Sequence, residues 1–125
     1  EGTRKLFCVL GPIIDIFHRG GLLVIDELDA KLHHDISRWL VSLFHDPEQN
    51  RNGAQLVFNT HDQQLLDQSL FRRDQIWFTE KDGGSGASEL YSLAEFGERR
   101  DRDILKAYQL GRYGAIPAIV PSKVV

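Results

Sequence analysis

The sequence predicts an α/β fold, and three observations carry that prediction. Leu22-Leu23-Val24-Ile25 is a short apolar run bounded by Gly20-Gly21 and by Asp26-Glu27, the pattern of a strand buried on both faces, as in a parallel sheet. A second run, Gln55-Leu56-Val57-Phe58-Asn59-Thr60, ends on His61-Asp62. Between them Ile36, Trp39, Leu40, Leu43 and Phe44 fall at helical spacing, and Asp35 is placed to cap that helix. Strand, helix, strand defaults to a right-handed crossover with parallel strands. Asp26-Glu27 and His61-Asp62 are then delivered to one sheet edge.

The remaining elements follow in order. Over residues 3–17, Leu6, Phe7, Leu10, Ile13, Ile14 and Phe17 recur every three or four residues, with Arg4, Lys5 and Asp15 off that stripe. This predicts a helix, kinked at Gly11-Pro12 because Pro12 has no amide hydrogen to bond, and ended by His18-Arg19-Gly20-Gly21. Residues 45–53 form a polar loop, and residues 63–68 a short helix. Residues 75–80 read as a third strand, 82–88 as a Gly/Ser turn and 89–92 as its hairpin partner. Residues 101–110 are expected to be helical and 111–125 an irregular tail. No repeat and no long linker interrupts the chain.

Composition bounds what such a fold can be. At 125 residues, 42% of them hydrophobic and 26% charged, the chain is expected to form one soluble domain. A net charge of −3 gives no general attraction to nucleic acid or anionic membrane, so a nucleic-acid partner has no support from charge. No apolar run approaches the roughly 18 residues of a membrane span, and a cytoplasmic, membrane-free location is expected. Cys8 has no partner for a disulfide. The absence of methionine predicts a fragment or processed product of a longer protein, one that can hold part of a site.

The strongest chemical signal is the apolar strand that ends in two adjacent acids. Open α/β sheets bind ligands in the crevice beyond the carboxyl ends of their strands. There Asp26 can hold Mg²⁺, largely through water, while Glu27 orients or deprotonates an attacking water. Acids in that position also serve simply to cap the next loop, and the two roles weigh about equally on these residues alone. His61, one parallel strand away, can donate to a phosphate oxygen.

Together these motifs resemble the C-terminal half of an ABC-type ATPase head, as in the structural-maintenance-of-chromosomes proteins and the overcoming-lysogenization-defect nucleases. The resemblance is nearest to bacterial AAA-type ATP-binding proteins of phage-defence and restriction-associated operons, and it extends over nearly the whole chain. It implies a partial P-loop NTPase sheet with parallel Walker B and switch strands, a C-terminal β-hairpin and flanking helices. By that resemblance residues 22–27 are the Walker B strand, Ala30-Lys31-Leu32-His33 the D-loop and His61 the switch histidine. Glu1-Gly2-Thr3 is similar to the end of a Ser-Glu-Gly-Thr signature motif, and residues 91–93, 99–103 and 111–117 to the ending of that subfamily. The implied roles are catalysis by Glu27 and His61, metal and cofactor binding by Asp26, and cofactor binding by Gly2, Thr3, Asp29 and His33. ATP and Mg²⁺ are the implied cofactors. The implied partners are a second copy of the chain across the nucleotide and an effector subunit.

Two departures stand beside the resemblance. Nothing in the chain matches Gly-x-x-x-x-Gly-Lys-Ser/Thr, since the glycine-rich residues 83–88 lack a lysine, and the signature serine is not among these residues. His34 stands where such proteins commonly carry proline. The isolated segment is therefore expected to be inactive. Two rival readings remain. One is a metal-dependent nuclease or phosphohydrolase built from Asp26, Glu27, Asp29, His33, His34, His61 and Asp62, although the adjacent His33 and His34 should point apart. The other is an interaction module whose acids and histidine are structural. Trp39 and Trp77 fit core positions, and the arginines of residues 72–73 and 99–102 fit solvated faces with one partner contact.

Overall fold

The computed structural model describes residues 1–116. It is a mixed α/β structure in two compact units, Glu1–Leu65 and Leu66–Val125. The first holds a two-stranded parallel sheet and the second a two-stranded antiparallel one.

The first unit begins with α1 (Gly2–Arg19), which continues through Pro12 as one helix. Its buried residues are Val9, Ile13 and Ile16; of the expected stripe Ile13 is buried and Leu6, Leu10 and Phe17 are partly buried, whereas Phe7 and Ile14 lie exposed. The helix carries more apolar residues than one face can hold, so its packing against the strand, not the spacing, selects which are buried. Gly20 stops it with φ +72°, and a β-carbon there would come within 2.7 Å of the Asn52 carbonyl. Asn52 also donates its side-chain amide to the Phe17 and His18 carbonyls, satisfying acceptors that the helix end leaves open. The 45–53 loop thus caps the end of α1.

Strand β1 (Leu22–Ile25) pairs in parallel with β2 (Gln55–Phe58), Leu22 opposite Gln55 and Ile25 opposite Phe58. Burial alternates along both strands. Val24 is 67% and Val57 54% exposed, which corrects the expected burial on both faces. A continuous apolar run specifies no solvated side, and within this unit the helices cover one face only.

Between the strands, α2 (His34–His45) starts one residue before the expected Asp35. His33 is its cap, with Nδ1 accepting from the Asp35 amide, while Asp35 lies in the first turn. Ser37, Leu40 and Val41 are its buried residues. Trp39 is 49% exposed, against the expected core position. A single 3-10 turn, Gln63–Leu65, stands where a short helix was expected and buries Leu65.

In the second unit β3 (Trp77–Lys81) and β4 (Ser88–Ser92) form the expected hairpin. Asp82 organises its turn by accepting from the amides of Gly84 and Ser85 and from the Ser85 hydroxyl. Those bonds, the hydroxyl first, hold its carboxyl below the usual range. Gln75 belongs to a preceding 3-10 turn, Arg73–Gln75, and not to the strand. Trp77, at 55% exposure, is not a core residue either, because it alternates with the buried Phe78.

Phe78, Leu93 and Ile76 pack with Ile104, Ala107 and Tyr113 into the core of this unit. The last three come from α3 (Ile104–Gln109) and the turn after it, and Asp103 caps that helix by accepting from the Lys106 amide. Glu98, only 3% exposed, is held by Arg102 at 2.5 Å and by Arg112, and its carbonyl accepts from Arg73. Arg102 and Arg73 therefore have partners, whereas Arg99 and Arg100 are exposed as expected. Beside this acid Tyr113 is buried, and that burial, with the Glu98 charge, pushes its phenol up to about 12. The stretch 117–125, expected to end the irregular tail, lies outside the described residues, as does Pro117 of the segment resembling the subfamily's ending.

Candidate functional site

The parallel register positions the site. Continuing it one residue beyond Ile25 and Phe58 sets Asp26 beside Asn59. The Asn59 amide nitrogen donates to Asp26 Oδ1 at 2.6 Å, and its side-chain oxygen accepts from the Glu27 amide at 2.5 Å. Its backbone carbonyl accepts from the Leu28 amide at 3.3 Å. Between these contacts Glu27 takes a left-handed conformation, φ +50°, uncommon for a residue with a β-carbon. Leu28, fully buried, anchors the turn.

His61 follows at the end of β2, with Nε2 3.7 Å from Glu27 Oε1. Both side chains are open to solvent, 88% for His61 and 55% for Glu27, so a ligand can reach them. Asp26, Glu27 and His61 are thus brought to one sheet end. Asp26 is exposed, and Asn59 engages one of its two carboxylate oxygens. That suits Mg²⁺, which takes one or two carboxylates and keeps water and phosphate oxygens for the rest.

The other expected site residues form a second group. Gly2 lies against the backbone at Lys31, whose carbonyl a β-carbon on Gly2 would approach to 3.0 Å. Lys31 Nζ stands 3.6 Å from Glu1 Oε1. The start of α1 and the loop 30–33 therefore meet. No side chain of these residues caps the first turn of α1, and no acid occupies it. Thr3 is exposed there. Asp29 accepts from the Leu32 amide through its carbonyl, and its Oδ1 is buried without a hydrogen-bond partner. His33, already engaged with the Asp35 amide, stays exposed.

His34 and Asp62, adjacent to two of these residues, pair at 2.9 Å in a half-buried contact between the start of α2 and the end of β2. His33 and His34 do point apart, to Asp35 and to Asp62. Among the described residues no three His, Cys, Asp or Glu side chains gather in an arrangement that could hold a metal. The seven residues of the nuclease reading are divided among separate contacts. Asn59, which bridges the two acids, is the residue of this cluster to which sequence reasoning gave no role. The available signal was register: an amide side chain level with the first acid on the neighbouring parallel strand.

Among the described residues no helix is long and apolar enough to cross a membrane. No curated protein and no solved structure matches the chain. Residues 1–67 match the family model described as AAA domain, putative AbiEii toxin, Type IV TA system, and this match contains both strands, the acid pair and His61. With more than half of its length so matched, the chain belongs to this AAA-domain family.

Proposed function

We propose that the chain carries the hydrolytic half of an ATP·Mg²⁺ site of the ABC-ATPase type, completed by a phosphate-cradling loop outside these residues. The observation that carries the reading is the meeting of Asp26, Glu27 and His61 at the ends of two adjacent parallel strands. The family match supports it, since an AAA domain is an ATPase-like domain.

Bound Mg²⁺ would neutralise charge developing on the phosphates. Asp26 would hold its water shell through the oxygen that Asn59 leaves open. Glu27 accepts the proton of the attacking water, and His61 donates to a terminal phosphate oxygen. Glu27 and His61 stand side by side on an open surface that a water and a phosphate can reach. Gly2, Thr3, Asp29 and His33 would serve the nucleotide held by a second copy of the chain. Hydrolysis in such a cytoplasmic dimer would drive a phage-defence or DNA-related effector.

Mixing two variants of the full-length protein tests this arrangement. His61→Ala removes the phosphate donor for the nucleotide on its own chain; Thr3→Asp places a negative charge against the nucleotide on the partner. Each variant alone is expected to lose most turnover while His61→Ala keeps ATP affinity. Their mixture regains activity, because one of the two sites in the heterodimer has both residues intact. No recovery on mixing, with mixed dimers demonstrated, would contradict the two-chain site.

A further inference from the structure

The contacts of Asn59 define its orientation without ambiguity. Turned over, its carbonyl would face the Asp26 carboxylate and its amide would face the Glu27 N–H, two repulsive contacts in place of two attractive ones. One side chain therefore grips both acids, the first by its carboxylate and the second by its backbone. The grip on Glu27 falls where the chain takes its left-handed turn, a conformation that needs support from its surroundings. The backbone bond from Leu28 to the Asn59 carbonyl ties the same turn to the same residue.

We propose that Asn59 is a positioning residue for hydrolysis. It directs the free oxygen of Asp26 outward toward the metal's water shell and fixes the backbone that aims the Glu27 carboxylate at the attacking water. This rests on the reading of Asp26 and Glu27 given above. Asn59 acts here through the two acids. Its two hydrogen bonds act in different ways, since the bond to Glu27 needs only an acceptor while the bond to Asp26 needs a donor. Aspartate keeps the shape and the acceptor but lacks the donor and sets a second negative charge against Asp26.

The test compares Asn59→Ala, Asn59→Asp and Glu27→Gln in the full-length protein. Its readouts are ATP turnover, KM for ATP, half-saturating Mg²⁺ and hydrogen exchange at the Glu27 amide. Asn59→Ala is expected to speed that exchange and to lower kcat by about 10- to 100-fold, the order of loss that follows a misplaced catalytic group, with KM for ATP little changed. Asn59→Asp lowers kcat as well and shifts the Mg²⁺ dependence, although the side chain is isosteric. A residue that served folding alone would lower the melting temperature and leave kcat and the Mg²⁺ dependence of the folded protein unaltered. Wild-type turnover in folded Asn59 variants, with Glu27→Gln inactive, overturns the positioning role and leaves the base intact. Wild-type turnover in Glu27→Gln overturns the reading of the site, and the role of Asn59 falls with it. If the alanine variant does not fold, the shape-preserving aspartate variant decides.

Discussion

Glu98 is a charged residue that the second unit has taken almost wholly out of water. Burial alone would raise its carboxyl, but the hydrogen bond from Arg112 and the charges of Arg102 and Arg112 outweigh that effect and hold it below the usual value. A carboxyl lowered in the folded state adds stability above the unfolded value, about 4.3, and loses that contribution as pH falls toward its native value. Glu98→Gln is therefore expected to be less stable than wild type at neutral pH. The gap should narrow below about pH 4 and close in stronger acid, because only the wild type then gains a proton. Urea unfolding followed across pH measures it; a gap independent of pH would show that packing and not charge is lost. Nothing in the sequence marked this residue, since a glutamate followed by Arg99, Arg100 and Arg102 reads as one more solvated cluster. At the candidate site, by contrast, Asp26, Glu27 and His61 were legible because each follows an apolar run, whereas the bridging amide of Asn59 depends on a register that only paired strands reveal.

At the level of elements, apolar runs located the strands and turn chemistry located the hairpin. Leu22–Ile25 and the 82–88 turn stand where the residues put them. Amphipathic faces were harder. The burial of Val9 and Ile16 instead of Phe7 and Ile14 is decided by what α1 packs against, and spacing carries no such information. The start of α2 moved for a local reason, since a histidine ring nitrogen took the capping role expected of aspartate. In that helix Leu40 is fully buried, and Leu40→Ala is expected to cost about 2–5 kcal/mol through lost burial and the cavity left behind. Trp39→Ala on the exposed side should cost well under half of that. Denaturant unfolding of the two variants checks the assignment of faces, and equal losses would mean that Trp39 is packed.

At the scale of the whole molecule, the parallel sheet, the acid pair and His61 lie in Glu1–Leu65, the unit that the family match spans almost alone. Leu66–Val125 has its own hairpin, helix and aromatic core. No single run of residues announces that division, because the two units follow each other without a Gly- or Pro-rich linker between them. The central claim is that these residues hydrolyse a nucleotide bound with help from outside them. It is tested most directly by ATP binding and ATP turnover measured on the same samples of full-length wild type and Glu27→Gln. The account predicts that the variant binds ATP·Mg²⁺ about as tightly as wild type and turns it over at least about 100-fold more slowly, since the amide keeps the shape of the acid and cannot accept a proton. Turnover at the wild-type rate would make Glu27 a loop cap and contradict the account.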